Sequence, residues 1–302
     1  VAVCDRLGRG DKWRNIAKLE LEDLVAPEDL AGFLSDNADR IAALVHMGAI
    51  SDTTETDLDL LIANNFRFST ELWSFCAAHN KQFIYASSAA TYGDGSRGFD
   101  DDISIEHLAK LEPLNPYGWS KHTFDRWVAR RLADGTPRPL QWAGLKFFNV
   151  YGPNEYHKRG QASVAYQLFQ QVRSGEPARL FQSHNPDYPD GGQMRDFVWV
   201  EDCVEVVFWL LENRRVNGLF NLGSGKARSF ADLARAVFQA METEQNIKYV
   251  PTPEDIRDKY QYFTEARMER LRAAGYERPF TELEQGVRRY VQDYLAAADP
   301  YR

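Results

Sequence analysis

Tyr117 and Lys121, four residues apart in Pro116-Tyr117-Gly118-Trp119-Ser120-Lys121, are the side chains of this sequence best placed to do chemistry. On a helix, residues at that spacing share a face, so a phenol and an ammonium can point into one cavity. A free tyrosine loses its proton only near pH ~10, and a neighbouring cation stabilises the phenolate and is expected to lower that value. About thirty residues upstream lies Ser87-Ser88-Ala89-Ala90-Thr91-Tyr92-Gly93, whose serine hydroxyl can complete a proton path to a substrate alcohol. Together these groups suit transfer of hydride and proton to or from a carbinol carbon.

Such groups need a rigid scaffold, and the chain is long enough to supply one. It has 302 residues, 44% of them hydrophobic, enough for one large or two small domains. Apolar strand-like runs alternate with helical patterns, which predicts an α/β fold with a parallel sheet covered on both faces. Residues 40–47 and 82–87 read as buried strands, and residues 58–78 have helical periodicity. The helix carrying Tyr117 and Lys121 is expected over 116–132, followed by a strand over 140–149. Beyond Pro153 the alternation becomes irregular, with a Pro-, Gly- and Asp-rich loop over 183–194. Short strands are predicted at 195–200 and 218–222, and helices at 201–212, 229–241 and 281–298. Ser229 caps the second of these helices, and Thr281 with Glu284 has capping-box spacing at the start of the third.

Charge and composition exclude several functions. The formal net charge of −8 and the acidic pI near 5.4 argue against nucleic-acid binding, so an anionic substrate needs a local basic pocket. No apolar run approaches the ~20 residues of a membrane span, and no signal-peptide pattern opens the sequence. Cys4, Cys76 and Cys203 are too scattered for a disulfide framework or a zinc site, so buried free thiols in a reducing cytoplasm are expected, with no metal.

Val1-Ala2-Val3-Cys4-Asp5 reads as a buried strand ending in a carboxylate. In a dinucleotide-binding fold that strand follows a first strand, a glycine-rich turn and a helix, whereas here the early glycines, Gly8 and Gly10, lie after it. The expectation is that roughly 25–30 residues precede Val1, the size of the missing βα unit.

Six segments in order resemble the extended short-chain dehydrogenase/reductase family of nucleotide-sugar epimerases and dehydratases. They are His46-Met47-Gly48-Ala49, the Ser87–Gly93 run, Tyr117–Lys121, Phe148-Asn149-Val150-Tyr151-Gly152-Pro153, Arg195–Val200, and Phe220-Asn221-Leu222-Gly223-Ser224-Gly225. The resemblance implies a Rossmann-type doubly wound parallel sheet with a smaller mixed α/β substrate lobe. Residues 1–149 with 196–222 would form the first, and 150–195 with 223–302 the second. Within the family, details look most like the ADP-heptose 6-epimerases: Asn154-Glu155-Tyr156-His157-Lys158, Ala162-Ser163-Val164-Ala165 and Tyr260-Gln261-Tyr262-Phe263-Thr264. UDP-galactose 4-epimerases usually lack the lysine matched by Lys158, and 4,6-dehydratases usually carry carboxyl groups where this chain has Ala90 and Thr91.

The resemblance implies an isomerase that inverts C6 of ADP-D-glycero-D-manno-heptose to the L-glycero form through transient oxidation by tightly bound NADP. Tyr117 would be one acid/base, Lys121 its activating cation, Ser88 a hydrogen-bond donor to the reacting oxygen, and Lys158 the second base. His157 is taken as peripheral. Asp5, Arg6, Lys12, Met47, Gly48, Ala49, Ile50, Ser51, Asn64, Lys121, Val150 and Lys158 would contact the dinucleotide. Asp5 alone favours NAD, while Arg6 and Lys12 favour NADP. Ser88, Asn149, Gly160, Gln167, Phe181, Arg195 and Tyr260 match the sugar-nucleotide side, with Arg195 chemically suited to a diphosphate. A homo-oligomer in the cytoplasm, supplying a lipopolysaccharide-core precursor and binding neither nucleic acid nor membrane, is implied as well. Two alternatives stand beside it: another nucleotide-sugar epimerase, of the UDP-hexose 4-epimerase type, and a non-catalytic dinucleotide sensor on the same fold.

Overall fold

A computed structural model describes residues 1–257 and 260–302. In chain order its strands are β1 (Ala2–Cys4), β2 (Asp23–Val25), β3 (Ala43–His46), β4 (Gln82–Ser88), β5 (Gln141–Phe147), β6 (Asn149–Tyr151), β7 (Ala178–Phe181), β8 (Met194–Trp199), β9 (Gly218–Leu222), β10 (Ala227–Ser229) and β11 (Ile247–Val250). The helices are α1 (Leu30–Asp36), α2 (Leu58–Leu61), α3 (Phe68–Ala78), α4 (Ile105–Leu108), α5 (Pro116–Ala133), α6 (Val164–Arg173), α7 (Val200–Glu212), α8 (Phe230–Ala240), α9 (Glu254–Arg257), α10 (Glu269–Ala273) and α11 (Leu283–Arg289).

Four strands, in the order β3-β4-β5-β9 and all parallel, make the central sheet. Phe83, Ile84, Leu145 and Leu219 are fully buried in it, which explains why β4 reads as a continuous apolar run. Gly144 on β5 stands opposite Tyr85, and a Cβ there would come within 2.5 Å of the tyrosine ring. β1 and β2 form a separate parallel pair, so β1 and β3 are both edge strands. A three-stranded sheet, β10-β8-β6, and the parallel pair β11-β7 lie outside the central sheet. Around them a second core gathers Tyr151, Trp199, Leu233, Val237, Val287 and Tyr290. Leu271 and Tyr276 pack instead with Leu145 and Leu219 of the central sheet.

Several expectations need correction. β1 and β3, expected to be buried strands, are mostly half-buried or exposed at sheet edges. The helix expected over 281–298 is α11 followed by a π-helical segment, Tyr290–Leu295. The helix predicted over 58–78 is interrupted by a π-helical segment, Ile62–Arg67, between α2 and α3. Thr281 and Glu284 do not form a capping box. The Thr281 amide and hydroxyl both donate to Asp202, while Glu284 pairs with Arg228, so tertiary partners have outcompeted the local cap. Cys76 and Cys203 are buried free thiols, but Cys4 is exposed because β1 lies at a sheet edge.

Candidate active site

α5 starts where its sequence says it should. The Asn115 side chain accepts from the Gly118 amide at 2.8 Å, and Pro116 occupies the first turn, where no intrahelical donor is needed. The helix then runs hard against the turn after β4. A Cβ at Gly118 would stand 2.7 Å from the Ala90 carbonyl oxygen, so glycine permits the approach that brings Tyr117 beside Ser88. Ser88 is buried at the end of β4, and its Oγ accepts from the Ala90 amide at 3.1 Å.

Lys121 is buried, with Nζ donating to the Ala86 carbonyl at 2.9 Å. Burial brings its pKa down to about 8, against the opposing pull of Asp125. Burial also raises the Tyr117 phenol above its ordinary range, opposed by a hydrogen bond with Ser88. This reverses the expected direction. Loss of water dominates, while the Lys121 ammonium is engaged with a backbone oxygen.

Lys158 lies on a 3-10 turn, Tyr156–Gln161, and its side chain is exposed. The turn is held from below by Glu155. That buried carboxylate accepts from the Ser163 amide and hydroxyl, each at 2.6 Å, and from the Tyr290 hydroxyl at 2.8 Å. The Glu155 carbonyl in turn accepts from the Lys158 amide at 2.9 Å. His157 Nδ1 lies 3.2 Å from Asn15 Nδ2, tying this turn to the 3-10 segment Lys12–Asn15. Thus Ser88, Tyr117 and Lys121 converge on one strand end, while the Lys158 side chain makes no hydrogen bond or ion pair with another described residue.

The residues expected at the dinucleotide fall into two groups. Lys12 Nζ donates to Asp5 Oδ1 at 2.6 Å and to the Arg6 carbonyl at 2.9 Å, while Arg6 reaches Glu28 and, at 3.3 Å, Asn64 Oδ1. Met47, Gly48, Ala49, Ile50 and Ser51 form the loop after β3. It is bracketed by a residue the sequence reading passed over, Asn65. That side chain accepts from the Ile50 amide and donates to the Ile50 carbonyl and Ser120 Oγ, all at 2.9 Å. Asn64 and Asn65 sit in the π-helical segment, whose wider turn sends one toward Arg6 and its neighbour inward.

On the other side, Arg195 on β8 lies between two rings, 5.6 Å from the centre of Phe230 and 5.4 Å from that of Tyr260. Phe181 meets Tyr260 edge-on at 6.1 Å, so these three expected residues form one cluster. Asn149 is exposed on β6, with Val150 half-buried beside it. Gln167 is spent on its own loop, donating to the Ala162 carbonyl at 2.8 Å and to that of Gly160 at 3.3 Å. A Cβ at Gly160 would meet nothing within 4 Å.

Three acidic residues hold the site without having been assigned a role from the sequence: Asp125, and Glu155 and Asp196 within two of the family segments. Asp196 accepts from the Ser224 amide and hydroxyl and from the Gly225 and Ala266 amides, pinning the Gly223-Ser224-Gly225 turn to β8.

The chain is similar to known proteins along its whole length. The NAD dependent epimerase/dehydratase family matches residues 1–223. The chain belongs to that family. Among curated relatives, the ADP-L-glycero-D-manno-heptose-6-epimerase of Nitratidesulfovibrio vulgaris is 50% identical over 304 residues, spanning 100% of this chain and 92% of the relative. A protein of the same name from Fusobacterium nucleatum is 46% identical over 309 residues, with the same coverage. Among solved structures, the Helicobacter pylori ADP-L-glycero-D-manno-heptose-6-epimerase superposes with a TM-score of 0.77 at 25% identity, covering 98% of this chain and 88% of that one. The Thermus thermophilus UDP-glucose 4-epimerase in complex with NAD shares the fold, with a TM-score of 0.75 at 23% identity, covering 98% of this chain and 91% of that one.

Members of the family take a nicotinamide dinucleotide, and the donor set here fits one. The carboxylate of Asp5 suits a ribose hydroxyl, the Arg6 and Lys12 cations suit phosphate, and Gly48 presents backbone with no side chain nearby.

Proposed function

We infer that this chain is an isomerase that inverts C6 of ADP-D-glycero-D-manno-heptose to the L-glycero form, with a bound nicotinamide dinucleotide and no net redox change. The observation that carries the reading is the convergence of Ser88, Tyr117 and Lys121 on one strand end, in a chain about half identical to proteins of that name. When bound, the nicotinamide supplies a reversible hydride acceptor. The protein's own residues must then move protons and hold the sugar. Tyr117 takes the proton of the C6 hydroxyl and Ser88 hydrogen-bonds the reacting oxygen as its charge changes. Inversion requires the C6 carbonyl to present its other face, which places the oxygen away from Tyr117. We assign the proton transfer in that orientation to Lys158, whose ammonium is free of described partners. Arg195, held between Tyr260 and Phe230, takes the diphosphate, with Asn149, Phe181, Gly160 and Gln167 along the sugar-nucleotide.

Our assignment of the dinucleotide is NADP. Lys12 neutralises Asp5, the carboxylate that would repel a 2′-phosphate, and Arg6 adds a second cation. Asp5, Arg6, Lys12, Asn64, Lys121, Val150, Lys158 and the 47–51 loop would hold it. Competition between NADP and NAD for the protein tests this assignment directly. The domain division, 1–149 with 196–222 and 150–195 with 223–302, belongs to the same proposal, as do a homo-oligomeric state and a cytoplasmic setting. Among the described residues, no helix is long and apolar enough to cross a membrane.

The deciding experiment follows C6 inversion of ADP-D-glycero-D-manno-heptose by proton NMR with the dinucleotide supplied, and runs UDP-galactose in parallel. Inversion of the heptose alone is expected. Inversion of UDP-galactose alone would move the substrate to the hexose epimerases, and turnover of neither with dinucleotide bound would favour a sensor.

A further inference from the structure

Beneath Tyr117 and Lys121 lies a fully buried ion pair that the mechanism above does not use. Asp125 and Lys146 are both completely shielded from solvent, with Nζ 2.9 Å from Oδ2. Asp125 stands one helical turn beyond Lys121, and the two side chains address consecutive residues of β4. Lys121 donates to the Ala86 carbonyl, while Ser87 Oγ donates to Asp125 Oδ2 at 2.7 Å and the Tyr85 hydroxyl to Oδ1 at 3.3 Å. Lys146 is the cross-strand partner of Ser87 on β5. Its ammonium also donates to Thr91 Oγ1 at 2.6 Å, and that hydroxyl donates to the Ser88 carbonyl at 2.7 Å.

A buried pair of this kind contributes little net stability, because desolvation offsets the attraction, and an apolar pair of the same volume would serve as well. Its charge therefore points to another role. The other titratable groups facing it are His46 from β3, Tyr85 from β4, Tyr92 from the following turn, and Tyr117 and His122 from α5. Burial keeps both histidines and all three tyrosines uncharged at neutral pH. Two buried carboxylates act on the cluster: Asp101 from the loop before α4 faces Lys146, while Asp125 is paired with Lys146 and stands one helical turn from Lys121.

We propose that Asp125 is a positioning residue that keeps Lys121 charged beside Tyr117, with Lys146 as the competing cation that limits its pull. This rests on the reading of Tyr117 and Lys121 as the acid/base pair. Without Asp125, Lys121 would be a buried ammonium with no carboxylate on the neighbouring helical turn, and it would release its proton more readily.

The test is the titration of Lys121 in protein carrying ¹³C-labelled lysine, read at Cε and assigned by its loss in Lys121→Met, together with the pH profile of kcat. In Asp125→Asn the Lys121 midpoint and the alkaline limb of kcat should both fall by about one pH unit or more. In Lys146→Met the midpoint should rise. A folded Asp125→Asn protein whose midpoint and profile match wild type overturns the proposal, even if kcat is low. If Asp125→Asn does not fold, the Asp125→Asn/Lys146→Met double variant replaces it. A midpoint equal to that of Lys146→Met alone then overturns the proposal, and a lower one supports it. The titration needs no substrate, so a shifted midpoint in a protein that leaves the heptose untouched would overturn the substrate reading and not this one.

Discussion

Tyr117 stands in a region built into the sheet, whereas Lys158 stands on an exposed turn at the far side of the proposed reaction. The first region is over-determined. α5, β4, β5 and the turn after β4 are cross-linked by Lys121–Ala86, Ser87–Asp125, Asp125–Lys146 and Lys146–Thr91 contacts, most of them buried. The second depends on Glu155 below it and on contacts with the residues around 300: Tyr156 donates to the Pro300 carbonyl at 2.7 Å, and Asn154 Oδ1 accepts from the Arg302 amide. The difference teaches how such a site divides its work. A phenol that must be desolvated and aligned belongs on a rigid element, whereas a residue serving a second orientation of the carbonyl can sit on an exposed turn.

The strongest way to break the comparison is Tyr117→Phe. It should lower kcat by about 10³-fold, within the range for loss of an acid/base group, while circular dichroism and the melting temperature stay near wild type. Near-normal turnover would remove the rigid end from the mechanism. Lys158→Met should lower kcat by roughly 10²-fold with little change in stability, because its side chain is solvated. A loss of only a few-fold would return Lys158 to an ordinary surface lysine.

Glu155→Gln separates anchoring from chemistry. It weakens three hydrogen bonds to a buried carboxylate, so stability should fall by about 1–3 kcal/mol and kcat by roughly 10-fold, with KM for the sugar-nucleotide little changed. Urea denaturation and steady-state kinetics on one preparation check both. An unchanged kcat in a destabilised protein would show that the Lys158 turn does not need this anchor.

The smallest effect concerns acid. His46 is buried beside Lys121, and burial takes its pKa down to about 3, so the unfolded chain binds a proton that the folded protein resists. Stability is therefore full above the unfolded value near 6.5 and is lost as pH falls toward 3, by up to about 1.4 kcal/mol per pH unit from this group. His46→Gln should flatten that slope between pH ~6 and ~4 in urea denaturation, whereas Lys158→Met should not. An unaltered slope would mean that His46 does not contribute to the acid sensitivity of the rigid end.

Much of this was legible in the sequence, for identifiable reasons. β4 and β9 announced themselves because strands covered on both faces are apolar throughout, and their observed bounds lie within one residue of the reading. Asn115-Pro116 marked the start of α5 because capping is local. The parallel pair β7 and β11 was missed, since only their mutual pairing and the packing of β7 against α6 and α8 make such short, half-exposed runs strands. The capping box at Thr281 failed for the converse reason: Asp202, 79 residues away in sequence, offered its hydroxyl a better partner.

By itself the sequence determined the alternating α/β order, the acidic balance, and the Tyr117–Lys121 spacing with Ser88 upstream, because periodicity and helical spacing are properties of neighbours along the chain. The tertiary structure alone decided which charges are buried and what they face. Only folding buries Asp125 against Lys146, engages Lys121 with a carbonyl, and raises Tyr117 where its lysine was expected to lower it. Desolvation and through-space charge depend on distances that close only when β4, β5 and α5 pack together, and no reading along the chain contains those distances.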